Sequence, residues 1–287
     1  VIDFPLFELI HPDMFAPPGH QVKKGPLSMN TPLKLGIVTY NIAKDWTLDD
    51  IFKNLEETGI QGVELRTTHA HGVEVSLSAE ARAEVKKRFG DSPIKLVQLG
   101  SAFDFHTRSP EQLRLNIEGA KEYAQLAQDV GAGGIKVRPN GLPEEVSEEA
   151  TLEQIGRSLR EVGEYADGLG VEVRLEVHGK QTCRLPRIKK ILDVADHPRV
   201  VANWNSNQDD LSDSGFEANF DLVKDKIRHV HIGELWNPTY PYSRLFQRLS
   251  EIGFEGYCCA EIPASTDPVR LLNYYRGLFL ALQDAPL

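Results

Sequence analysis

Cysteine is scarce in this chain. Its 287 residues include only Cys183, Cys258 and Cys259. They form no CxxC spacing and no even set, which excludes a disulfide framework and a thiolate metal site. Cys258 and Cys259 would face opposite sides of a strand, so all three read as small buried residues. A basic excess is also missing. The net charge of −10 excludes a broad nucleic-acid binder, which neutralises phosphates with Lys and Arg. No apolar run approaches the ~20 residues of a membrane span. The stretch after the first strand-like segment, Tyr40-Asn-Ile-Ala-Lys-Asp45, lacks the Gly-rich phosphate turn that usually opens a doubly wound sheet.

What is present is a rhythm. Residues 1–32 are Pro-rich and read as an extended arm, because Pro removes ladder donors and blocks helix interiors. Phe4, Phe7, Leu9 and Phe15 are its candidate anchors. From Lys34 onward, strand-like alternation and helix-like segments succeed one another. Strands are expected at 35–39, 62–66, 95–100, 134–138, 172–177, 200–203, 228–232 and 257–261. Helices are expected at 47–58, 78–89, 110–130, 151–169, 185–195, within 219–226, at 241–252, and from 268 behind an Asp267 cap. Eight strict alternations over about 255 residues match a closed (β/α)8 TIM barrel. The division is therefore an arm, 1–32, and a barrel, 33–287.

The parity of the strands is unusual. Val63/Leu65, Ile135/Val137, Val173/Leu175/Val177 and Val230/Ile232 share one face. Glu64/Arg66, Lys136/Arg138, Arg174/Glu176/His178 and His229/His231 share the other. The apolar set must face the helices, so the polar set faces the barrel axis. Barrel interiors are ordinarily filled by branched apolar residues, and an unpaired buried charge costs several kcal/mol, roughly. Such a face persists where its groups pair or line a site, and barrel enzymes keep their sites at the C-terminal mouth. The ends of strands five to eight supply Glu176, Asn205, His231 and Glu261. This mixed O/N donor set suits one divalent ion of the Mn2+, Mg2+, Co2+ or Zn2+ kind.

In that order, Leu175-Glu-Val-His178, Asn203-Trp-Asn-Ser-Asn207, His229-Val-His-Ile-Gly-Glu234 and Ala260-Glu-Ile-Pro263 resemble the xylose-isomerase-like barrel superfamily. That group holds sugar isomerases, ketose epimerases, inosose dehydratases and apurinic endonucleases, and the resemblance spans roughly residues 33–282. It implies metal ligation by Glu176, His231 and Glu261. Asn205 stands where the family usually has Asp, and Thr182 stands where ketose epimerases carry a second Glu. His69, His71 and His106 lie in the loops where apurinic endonucleases place extra ligands, but the acidic chain argues against a nuclease.

The resemblance implies a metal-dependent sugar isomerase or epimerase working through an enediolate, with Glu176 and Glu261 as the acid/base pair and His178 beside them. Arg66, His71, Lys136, Arg138, Asn207 and Glu234 are substrate-binding candidates, with internal ion pairs as the alternative for the charged ones. Elimination by a lyase or dehydratase, from a keto-sugar, 3-keto-glycoside or inosose, is the second reading. A non-catalytic sugar-binding barrel is the third. The expected partner is a small carbohydrate. Phe103, Phe105, Trp236 and Tyr240 are candidates for a lid, a sugar-stacking wall or a homo-oligomer contact. The chain opens on Val1, compatible with a removed leader, and Met29 reads equally as an internal start. A soluble protein is expected, with cytoplasm and periplasm both open.

Overall fold

The computed structural model describes residues 32–284; the expected arm therefore lies outside the described residues. Eight parallel strands close into one barrel in sequence order. They are β1 (Lys34–Val38), β2 (Gly62–Arg66), β3 (Lys95–Asp104), β4 (Gly134–Arg138), β5 (Glu172–Glu176), β6 (Val200–Asn205), β7 (Ile227–Ile232) and β8 (Tyr257–Ala260). Each is followed by a helix: α1 (Leu48–Thr58), α2 (Ala79–Gly90), α3 (Pro110–Val130), α4 (Glu148–Asp167), α5 (Leu185–Ala195), α6 (Gly215–Val223), α7 (Tyr242–Glu251) and α8 (Pro268–Gln283). Pairing of Leu35 with Cys258 and Gly36 with Cys259 closes the ring.

The helices start where local chemistry satisfies their first free N–H groups. Thr47 and Asp50 form a capping box on α1, and Ser78, Ser109 and Ser147 cap α2, α3 and α4. Pro110 and Pro268 occupy first-turn positions, where a missing N–H costs nothing. Many boundaries shift from expectation by one or two residues, α4 begins three residues early, at Glu148, and the changes at β3, β6 and the sixth helix have a local cause. β3 runs on to Asp104 and β6 to Asn205, because their polar ends still pair with neighbours. The sixth helix begins at Gly215 and gives way to a 3-10 turn at Lys224–Lys226.

Between strands and helices lies an apolar layer that includes Val63, Leu65, Ile135, Val173, Leu175, Val230 and Ile232, all essentially inaccessible. Inside the barrel the side chains are polar yet equally buried: Glu64, Gln98, Lys136, Arg174, Glu176, Asn203, His229 and His231. Glycines on neighbouring strands make room for them. A Cβ on Gly100 would stand 2.5 Å from Glu64 Oε1, and one on Gly134 2.7 Å from Arg174 Nε. Low in the barrel Arg174 pairs with Glu172 at 2.8 Å and donates to Gln98 Oε1 and Val97 O. The three cysteines are buried and free.

Candidate active site

The interior polar groups converge on His231. Its Nε2–H donates to Glu64 Oε2 at 2.6 Å, and its Nδ1 lies 3.1 Å from Glu176 Oε1 and 3.5 Å from Glu261 Oε2. Glu176 gives its other oxygen to Lys136 Nζ at 2.9 Å. Strand register produces this meeting. Lys136 pairs with Arg174, Glu176 with Asn203, and Asn205 with His231. Burial alone would raise the pKa of Glu176, but the Lys136 ammonium and then His231 hold it well below the usual range. Glu64 is likewise lowered against its burial, chiefly by the charge of His231. Burial disfavours a charged His231, yet the surrounding carboxylates raise its pKa well above the ordinary value. His229, 3.3 Å from Glu64, is driven by burial down to about 3 and is neutral.

Among the described residues, two groups each hold ligand-type atoms within 4.8 Å of one another: Glu176/His231/Glu261 and Glu64/His229/His231. They share His231. The second set is sealed, with all three side chains inaccessible, whereas Glu261 of the first keeps about a quarter of its side chain exposed. The first set fits a divalent ion better. It is a carboxylate–imidazole–carboxylate group with an entry side, and Glu64 accepts from the far nitrogen of the imidazole and so fixes the ring. Asn205, half-buried and in register with His231, makes no side-chain hydrogen bond among the described residues. Glu64 and His229 were legible only as axis-facing, and Asn203 only as part of a motif. Strand parity gives the face of a residue but not its depth.

The other candidates are distributed around this centre. His178 is half-buried and its Nδ1 meets Asn140 Oδ1 at 3.0 Å; burial lowers its pKa. Arg66 donates to Gly100 O, and Arg138 to Ala102 O. Glu234 accepts from the indole N–H of the exposed Trp236. Two candidates are not brought to the centre. His71 spends both ring nitrogens on the backbone, Nε2 on Arg66 O and Nδ1 on Val73 N–H, and so locks its own loop. Asn207 donates to Asn205 O and accepts from Asp209 N–H, which makes it the cap of a 3-10 turn. His69 bonds Thr39 and His106 faces Asp104. None of His69, His71 and His106 enters a ligand set among the described residues.

The profile of the xylose isomerase-like TIM barrel family matches residues 52–277. The chain belongs to that family. No curated protein sequence matches it. Solved structures share its fold at low identity. The 3-keto-D-glucoside 4-epimerase YcjR from E. coli, in apo form, superposes with a TM-score of 0.72 at 18% identity, over 88% of this chain and 100% of its own. The IOLI protein with a bound zinc atom gives 0.70 at 17% identity, over 87% and 96%. The probable 3-DHS dehydratase AsbF from Bacillus anthracis gives 0.66 at 16%, over 86% and 98%.

Proposed function

We propose that this barrel is a divalent-metal-dependent sugar isomerase or epimerase that moves a proton next to a carbonyl. The observation that carries the reading is the convergence of Glu176, His231 and Glu261 at the end of the barrel where such enzymes work. These three would hold the ion, with Asn205 beside them. Bound there, the ion supplies Lewis acidity toward a carbonyl and its neighbouring hydroxyl.

The chain's own groups do the rest. Glu261, the more accessible carboxylate, and Glu176, which approaches the same ring nitrogen of His231, form the pair that removes and returns the proton. Lys136 stabilises the ionised form of Glu176 and offers a cation near developing oxyanion charge. Arg66 and Arg138, at the ends of β2 and β4, and Glu234, just past β7, are the groups offered to sugar hydroxyls in this reading. The YcjR and zinc-bearing IOLI neighbours support a sugar-directed, metal-bearing barrel.

One observation favours elimination as the second reading. Thr182, where ketose epimerases carry a second Glu, is fully buried and donates its hydroxyl to His178 O. It supplies no carboxylate, and His178 stands nearby as an acid/base group. A dehydratase also shares the fold. Incubating ketoses and 3-keto-glycosides with the protein in D2O separates the two. Solvent deuterium on recovered sugar supports proton transfer, and release of an aglycone or water supports elimination. Glu176→Gln and Glu261→Gln are each expected to lower turnover at least ~100-fold with the fold intact. Wild-type rates in either variant would remove the acid/base assignment.

A further inference from the structure

His178 is anchored by a chain of side chains from the end of β3 and from the loop after β4. Asp104, the last residue of β3, accepts at Oδ2 from Asn140 Nδ2–H at 2.7 Å. Asn140 Oδ1 in turn meets His178 Nδ1 at 3.0 Å. A carboxylate can only accept, so Asp104 fixes which end of the Asn140 amide is nitrogen. The amide oxygen is thereby turned to the imidazole, and an oxygen there requires a proton on Nδ1. The backbone is bent to make this contact. Asn140 has φ of +59° and Gly179 +95°. A Cβ on Gly179 would stand 2.2 Å from Asn140 O and 2.5 Å from Thr182 Oγ1, so only glycine lets the two loops approach. Nε2 of His178 has no hydrogen-bond partner among the described residues, and the charged groups around the ring are Glu176, Lys136, Arg138 and Glu261.

We propose that Asp104 and Asn140 are positioning residues that hold His178 as its Nδ1–H tautomer, leaving Nε2 as an unprotonated acceptor at the mouth of the site. The role rests on the reading of that mouth as a sugar site. His178 then enters the reaction as a base. Its Nε2 lone pair takes the proton of a substrate hydroxyl, the O–H electrons stay on the substrate oxygen, and Nδ1–H keeps its bond to Asn140. The proton returns from Nε2 to substrate or water at the end of the cycle.

Long-range 15N–1H correlation spectra of the full chain, histidine-labelled, free of metal and substrate at neutral pH, read the tautomer directly. The His178 signal is assigned by its loss in His178→Gln. Wild type is expected to show a protonated Nδ1 and a bare Nε2. Asn140→Gly, which keeps the positive φ without strain, is expected to move the proton to Nε2. Asp104→Asn, which frees the amide to flip, is expected to give a mixture and carries the test alone if Asn140→Gly does not fold. A wild-type ring protonated at Nε2 or at both nitrogens would overturn the proposal, as would an unchanged Nδ1–H pattern in the variants. Metal uptake on the same samples tests the site reading separately, because the tautomer is read without the ion.

Discussion

At the scale of single residues, the site depends on charges held out of water by their neighbours. Lys136 and Glu176 are almost wholly buried and bonded at 2.9 Å. Removing one partner of such a pair leaves an uncompensated buried charge, at a cost of about 3–5 kcal/mol. Lys136→Met is therefore expected to lose about 3 kcal/mol or more in urea denaturation of the metal-free protein. A loss under about 1 kcal/mol would mean that Glu176 is compensated elsewhere. Asp210 illustrates the opposite sign. Burial raises its pKa to about 8, against hydrogen bonds from Tyr240 O–H and Asn207 N–H that favour the ionised form. Its folded pKa lies above its unfolded one, so the native state holds a proton that the unfolded chain releases. That contribution is complete below about pH 4 and is lost as pH rises through about 8, with a slope of up to about 1.4 kcal/mol per pH unit. The stability difference between wild type and Asp210→Asn should shrink or reverse over that window. A difference independent of pH would contradict the assignment.

At the scale of elements, the glycines of the strands decide where the polar side chains fit. Gly100 on β3 leaves the space that Glu64 fills, and Glu64 fixes His231. Gly100→Ala is expected to push Glu64 off His231 and weaken metal binding by about 10–100-fold, the usual cost of losing a hydrogen-bond partner of a ligating imidazole. Calorimetric titration with Mn2+ checks this, and an unchanged affinity would show that Glu64 is dispensable.

The same elements show what was legible in the sequence. β2, β4 and α3 have the expected bounds, because Gly62 and Gly134 open their strands and Ser109-Pro110 and Gly131 bracket the helix. The polar inner face followed from period-two alternation. The Glu64–His231 bond and the Asp104–Asn140–His178 chain did not, because they join segments far apart in sequence that only the closed barrel brings together. Register is set by closure of the whole barrel. His71 and Asn207 had the right residue type at the right end of a strand, but nearby backbone groups use their donors and acceptors first.

At the scale of the molecule, a closed barrel brings the ends of strands five to eight within reach of one another, with no single segment containing a motif that binds anything. Barrel closure between β8 and β1 removes both sheet edges, and the interior charges are held by pairing with one another. Among the described residues no helix is long and apolar enough to cross a membrane. Of the Glu176–His231–Glu261 group, only Glu261 reaches solvent, with about a quarter of its side chain exposed.

The most direct measurement is metal content. Full-length protein is stripped with chelator, equilibrated with Mn2+ and analysed by mass spectrometry of the metal alongside Glu176→Gln and Glu261→Gln. About one equivalent is expected in the wild type and much less in both variants, as loss of a carboxylate ligand implies. Less than about a tenth of an equivalent taken up by the wild type from millimolar Mn2+ would contradict a metal-dependent site built on Glu176, His231 and Glu261.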